Sequence, residues 1–295
     1  MSKGIILAGG SGSRLYPLTV TSSKQLLPIY DKPMIFHPLS TLMQLKIRDI
    51  MIISTSEFLP LFQKLLGDGT DFGINLSYKA QEEPKGIAES FIIGEDFVAN
   101  DKITLILGDN IFYSENKENI FSKDQTSIEG AELFLTPVKD PERFGVAEID
   151  DQMNIVSIEE KPVSPKSNLA ITGLYMYDKD VVDNAKNLKP SQRGELEITD
   201  VNKVYLNNGK LFANILGSYN WFDTGTHKSL HKTSNFIYDM EKKTAKKIPC
   251  LEEISLENGW ISRNDLAILQ EKFSKTSYGS YLLKILEKND YKDES

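Results

Sequence analysis

Near its start the chain reads Gly9-Gly10-Ser11-Gly12-Ser13-Arg14, and nine residues separate Arg14 from Lys24-Gln25. Glycine tolerates positive φ and carries no Cβ, so such a turn can aim backbone N–H groups at an anion. Arg14 and Lys24 add two cations that can converge on the same group. Together they suit a nucleoside triphosphate, with Gly9, Gly10, Gly12 and Ser13 as its cradle. Two better-known phosphate loops are excluded. A dinucleotide fingerprint needs a third glycine where Leu15 stands, and no stretch has the P-loop spacing. A hairpin of small residues is the plainer alternative for the glycines alone, and either cation by itself could be a solvated surface charge.

Five further stretches carry chemistry-bearing side chains. In Gly108-Asp109-Asn110 a carboxylate follows the apolar run 103–107. An acid at a strand's end can hold Mg²⁺ beside substrate phosphates, although Gly-Asp-Asn is also an ordinary turn. Asp223, in Trp221-Phe222-Asp223-Thr224-Gly225-Thr226, is a second such acid; the alternative is a helix N-terminus capped by Asp223 or Thr224. Gln81-Glu82-Glu83-Pro84-Lys85-Gly86 offers a carboxamide able to read a pyrimidine edge, or else a proline turn ahead of a helix. Arg143-Phe144-Gly145-Val146 and Glu159-Glu160-Lys161-Pro162 supply a carboxylate for hydroxyl groups and a lysine for a phosphate, or an exposed charged edge. The stretch 194–200 reads as a helix start, with Glu195 and Glu197 in its first turn. His37, His227 and His231 do not group at zinc spacing, and Cys250 reads as a small apolar residue.

Elements must position these groups. Apolar runs at 4–8, 50–53, 76–80 and 103–107 read as strands, and 33–45, 57–66 and 87–97 as the helices between them. The alternation predicts right-handed βαβ units and an α/β fold: a Rossmann-like, mixed, mainly parallel central sheet flanked by helices. Ligands then sit beyond the strands' C-terminal ends, where 9–14, 81–86 and 108–110 fall. The stretch 110–140 is polar and less regular. Further strands are expected at 132–138, 146–149, 155–160, 171–177 and 211–216, and helices at 179–187, 197–208 and 228–247. Amphipathic pieces at 265–273 and 280–287 follow. The expected division is a catalytic domain over 1–248 with a helical C-terminal extension over 249–295.

The 295 residues are 40% hydrophobic and 26% charged, ordinary for a globular protein. A net charge of −8 argues against nucleic-acid binding, so any phosphate grip must be a local patch. One cysteine excludes an internal disulfide and fits a reducing compartment. No apolar run approaches a membrane span, and the N-terminal run is too short for a signal peptide. A cytoplasmic enzyme is the expectation.

Residues 3–42 resemble the N-terminal signature of the sugar-1-phosphate nucleotidylyltransferases, in particular the glucose-1-phosphate thymidylyltransferase branch. Gly10-Ser11-Gly12-Ser13-Arg14 and Lys24 keep its spacing, with Ser13 for the usual threonine, and 23–35 is close to the thymidylyl branch. The likeness runs to about Tyr281. It implies a nucleotidyltransferase-type fold, nucleotide-binding to about 110 and sugar-phosphate-binding over about 111–230, in which Asp109 and Asp223 hold Mg²⁺. Arg14, Lys24 and Lys161 would be catalytic. Gln81 and Gly86 would read thymine, and Gln25 and Asp109 also face the nucleotide. Asn110, Gly145, Glu160, Lys161, Ile171, Tyr175 and Trp221 would bind glucose 1-phosphate. His37 stands where an aromatic is usual. The implied reaction joins dTTP and α-D-glucose 1-phosphate into dTDP-glucose and pyrophosphate by direct in-line displacement, as the first step toward dTDP-rhamnose and other deoxysugars. A homotetramer, a dimer of dimers with an allosteric nucleotide site, is implied as well. The alternatives are a UTP-dependent uridylyltransferase and a nucleotide-sugar sensor without turnover.

Overall fold

The computed structural model describes residues 2–115 and 129–288. Four parallel strands form its centre: β1 (Ser2–Leu7), β4 (Asp49–Ser54), β5 (Asn75–Ala80) and β6 (Lys102–Leu107), ordered β6-β1-β4-β5. The short strands β2 (Pro28–Ile29) and β3 (Lys32–Pro33) pair with each other before helix α1 (Phe36–Gln44). Helix α2 (Leu59–Leu66) follows β4 and stops at Gly67, whose φ of 61° suits glycine. Ile5 and Ile6 show why the central strands read as continuous apolar runs. Ile5 packs with Phe91 and Leu105 on one face of the sheet, and Ile6 with Leu39, Ile52 and Phe62 on the other.

The expected helix over 87–97 is two short ones, α3 (Glu89–Ile93) and α4 (Glu95–Val98). They break at Gly94, where a Cβ would lie 3.2 Å from Ile5 Cδ1, so the backbone itself packs against the sheet. Of the irregular stretch 110–140, residues 116–128 lie outside the described part. On either side run β7 (Asn110–Tyr113) and β8 (Ala131–Pro137).

The second half extends the same sheet. Strands β9 (Gly145–Ile149), β10 (Ile155–Glu160) and β11 (Leu169–Tyr177) are followed by helices α5 (Val181–Lys186) and α6 (Ile198–Asn207) and strand β12 (Leu211–Ile215). β11 runs antiparallel to β6, β8 and β9, and β12 lies parallel to β8, which makes nine strands in all. The register of β11 against β8 shifts between Ile171 and Tyr175, around Gly173. Strand β13 (Asn220–Asp223) pairs with β7 in a ladder of its own, which sets Asp223 opposite Asn110. Helix α7 (His227–Thr244) is capped by Thr226 in a reciprocal pair with Ser229, so Asp223 and Thr224 do not cap it. Helices α8 (Leu251–Glu257), α9 (Arg263–Lys272) and α10 (Ser277–Glu287) close the described chain around Leu266, Leu269, Leu282 and Ile285.

Candidate active site

Because β1, β5 and β6 run parallel, the loops that follow them leave the sheet at the same edge. They open into a cavity of about 480 Å³. The loop after β1 lines it with Gly9, Gly10, Gly12, Ser13 and Arg14, and the turn before β2 adds Lys24 and Gln25. Gln81 and Gly86 come from the loop after β5, and Asp109 and Asn110 from the β6–β7 turn. The other half contributes Gly145, Glu160 and Lys161 from the β9–β10 side, Ile171 and Tyr175 from β11, and Trp221 and Asp223 from β13. Every residue singled out in the sequence for catalysis, ligand or metal binding thus lines one cavity.

At the end formed by the glycine-rich loop, charges of opposite sign meet. Lys24 forms an ion pair with Asp109 Oδ2, while Asn110 Nδ2 donates to Asp109 Oδ1 at 3.0 Å. Burial pushes the Asp109 carboxyl up, but the Lys24 ammonium outweighs it and holds the group below the usual carboxylate range. Asp223 goes the other way. Burial and the charge of Asp109 raise it, and Lys24 and Arg14 offset this only in part. Its Oδ1 accepts the Gly225 N–H at 3.0 Å, and Arg143 Nη2 stands 3.5 Å from Oδ2. A Cβ on Gly225 would lie 2.9 Å from Asp223 Oδ1 and 3.1 Å from Arg14 Nη2, so glycine is what lets these groups gather.

Gln81 has committed its amide hydrogens. Nε2 donates to Gly86 O at 3.2 Å and to Glu89 Oε2 at 2.7 Å, while Oε1, beside Gly9, accepts no hydrogen bond among the described residues. Gln25 is the converse, for its Oε1 accepts the Ser23 hydroxyl at 2.7 Å. At the far end Glu160 Oε2 accepts the Thr199 hydroxyl at 2.6 Å, and Lys161 Nζ lies 3.4 Å from Glu160 Oε1. The Lys161 N–H donates to Phe144 O at 3.0 Å, which fixes the turn that presents the half-exposed ammonium.

The profile of the nucleotidyl transferase family matches residues 3–240. A glucose-1-phosphate thymidylyltransferase of Neisseria meningitidis is 53% identical over 97% of this chain and 100% of its own length. The chain belongs to the nucleotidyl transferase family, among its glucose-1-phosphate thymidylyltransferases. A crystal structure of a Bacillus anthracis protein described as a glucose-1-phosphate thymidylyltransferase, in complex with a sucrose, is 48% identical; it matches with a TM-score of 0.75 over 80% of this chain and 95% of that one. A UDP-glucose pyrophosphorylase complexed with UDP-glucose shares the fold at 22% identity, with a TM-score of 0.70 over 81% and 99% of the two chains.

This nucleotidyl transferase also lines its cavity with residues that the sequence left without a role. Arg193 forks onto Glu197, with Nη2 at 2.9 Å from both carboxylate oxygens. Glu197 is the extended residue ahead of α6 rather than part of its first turn, where the acid is Asp200. Glu195, Thr199 and Asn202 share that wall. The one sequence signal for them was a cation beside Gly194 just ahead of two acids. Arg143 was visible within its motif, but its approach to Asp223 was not, because β13 joins the site only through the ladder with β7.

Among the described residues no three or more of His, Cys, Asp and Glu cluster in a way that could hold a metal. Asp109 and Asp223 form a repelling pair of acids, the donor chemistry that suits a hard divalent cation whose other ligands are phosphate oxygens and water.

Proposed function

We propose that this nucleotidyl transferase transfers the thymidylyl group of dTTP to α-D-glucose 1-phosphate, giving dTDP-glucose and pyrophosphate. The observation that carries the reading is one cavity with Arg14, Lys24, Asp109 and Asp223 at one end and Glu160, Lys161 and Arg193 at the other. Two anions can meet only where cations surround them. The glucose 1-phosphate oxygen is already ionised near neutral pH, so no general base is needed, and positioning with charge neutralisation supplies the catalysis. The oxygen forms its bond to the α-phosphorus as the bond to the bridging oxygen breaks and pyrophosphate leaves.

The residues divide this work. Arg14 and the N–H groups of 9–13 receive the triphosphate and stabilise the departing pyrophosphate. Lys24 neutralises charge that builds on the α-phosphate, and Lys161 with Arg193 aims the incoming phosphate. Gln81 Oε1 accepts the imide N–H of the base, while Glu160 accepts protons from sugar hydroxyls. Asp109 and Asp223 would hold Mg²⁺. When bound, the ion supplies positive charge to the α-phosphate and the leaving group.

Pyrophosphate release from glucose 1-phosphate with dTTP, UTP, ATP, CTP and GTP tests the reading. The expected order puts dTTP first; a higher kcat/KM for UTP would make the enzyme a uridylyltransferase, and no release with any nucleotide would make it a sensor. The homotetramer with a second, allosteric nucleotide site and the division at residue 248 belong to the same proposal; sedimentation and limited proteolysis test them. So does the cytoplasmic setting, with which the lack of a membrane-spanning helix among the described residues is compatible.

A further inference from the structure

Asn202 stands on α6 three residues after Thr199, so the two side chains share one face of the helix. Thr199 donates to Glu160, and Asn202 lines the cavity beside them. The residue is wholly buried, with 0% of its surface exposed. Its Oδ1 accepts the Tyr177 hydroxyl at 2.6 Å, which holds the carboxamide from behind. Its Nδ2 has no hydrogen-bond partner among the described residues. Buried donors are nearly always paired, because an unpaired one has given up its hydration for nothing. A donor left unpaired behind a cavity wall can be paired by the cavity's occupant once the amide is drawn toward it.

We infer that Asn202 is a specificity residue for the sugar: its Nδ2 donates to the oxygen of one ring hydroxyl, whose own proton goes to the Glu160 carboxylate. The inference rests on the sugar-phosphate reading of this end of the cavity. A hydroxyl both donates and accepts, so a donor beside an acceptor selects for it. A hydrogen in its place satisfies neither group. An acylated oxygen has no proton for Glu160, and an ammonium has no lone pair for Asn202. Nothing in the sequence marked the residue, since an asparagine inside a helix reads as ordinary polar surface.

The test is pyrophosphate release with dTTP and glucose 1-phosphate or its 2-, 3-, 4- and 6-deoxy analogues. Asn202→Asp keeps the acceptor for Tyr177 and removes the donor. Asn202→Leu, made with Tyr177→Phe and compared with Tyr177→Phe alone, removes the donor without adding charge. Each should lower kcat/KM for glucose 1-phosphate about tenfold with the KM for dTTP unchanged. One deoxy analogue, the same for both comparisons, should be used equally well with and without the Asn202 amide. An equal loss on all the analogues would make the role structural, and no loss would mean that a trapped water already serves Nδ2; either result overturns the inference. If one variant fails to melt cooperatively, the other decides. A wild-type protein that releases no pyrophosphate from glucose 1-phosphate would sink the underlying reading, and this inference with it.

Discussion

The Trp221 indole N–H donates to Asn110 Oδ1 at 2.6 Å, and the Gly173 N–H donates to the same oxygen at 2.9 Å. Gly173 stands where β11 breaks register with β8, which turns its N–H toward the cavity side. With that oxygen doubly used, the amide cannot flip, and its nitrogen is held on Asp109. One carboxamide therefore ties β11 and β13 to a candidate metal ligand. Trp221→Phe keeps an aromatic ring against Phe144, now 5.1 Å away between centroids, but removes the donor. Losing one neutral hydrogen bond should cost about 1 kcal/mol and lower Tm by about 2–4 °C, with kcat reduced several-fold. Gly173→Ala should be worse, since its Cβ would lie 2.6 Å from Asn110 Cγ. Melting curves and pyrophosphate release on both variants check this; unchanged turnover in both would show that Asn110 does not position Asp109.

Arg14 is the cation whose loss should cost most. Its guanidinium lies beside Gly225 and Asp223, at the glycine-rich-loop end of the cavity. Removing one preorganised donor typically slows an enzyme by roughly 10²–10³-fold, and Arg14→Ala should do the same with little change in Tm. Arg14→Lys should recover only part of the loss, because an ammonium is a point charge without the planar fork that binds a phosphate through two N–H groups. Steady-state kcat decides it, and normal turnover in Arg14→Ala would take the residue out of the mechanism.

Two repelling acids make a prediction that opposes activity to stability. Asp223→Asn removes the charge that burial and Asp109 disfavour, so the metal-free protein should melt at the same temperature or higher. Turnover at saturating Mg²⁺ should fall about 10²-fold or more, since a charged donor is lost. Chelation of wild-type protein with EDTA should abolish turnover, and added Mg²⁺ should restore it. Full activity in EDTA would separate Asp109 and Asp223 from any metal.

How much of this was legible follows from where each signal lies in the chain. The central strands were readable because both faces are buried, so Ile5 and Ile6 are both apolar and glycine marks the end of the run. Parallel strands then place their following loops at one edge, which is why the sequence alone groups Arg14, Gln81 and Asp109. The β7–β13 ladder was not readable: four residues carry no period, and Asn110 and Asp223 are far apart in sequence. The break of the expected helix at Gly94 was not readable either, because its reason, contact with Ile5, is tertiary. Arg193, Glu197 and Asn202 failed for the same cause. Their types are ordinary for a loop and a helix, and only the packing of α6 against β10 turns them toward the cavity.

His37, in the first turn of α1, gives the fold a pH dependence of known sign. The ring is buried and its Nε2 has no partner among the described residues. Burial and the nearby Lys32 charge push its pKa down to about 3, with Asp31 opposing. In the unfolded chain the value is about 6.5. The folded value is the lower one, so the native state favours the neutral ring. Its contribution is complete above about pH 6.5 and is lost as pH falls toward the folded value, because the unfolded chain takes up the proton first. Each pH unit in that window costs about 1.4 kcal/mol, or about 2 kcal/mol between pH 6.5 and pH 5. His37→Phe removes both the titration and the unpaired nitrogen. The variant should be at least as stable as wild type at pH 7, and its advantage should be about 2 kcal/mol larger at pH 5. Urea unfolding of both proteins at the two pH values measures this, and the subtraction cancels carboxylates common to both. An advantage that does not change with pH would mean that His37 accepts its proton in the folded state without penalty.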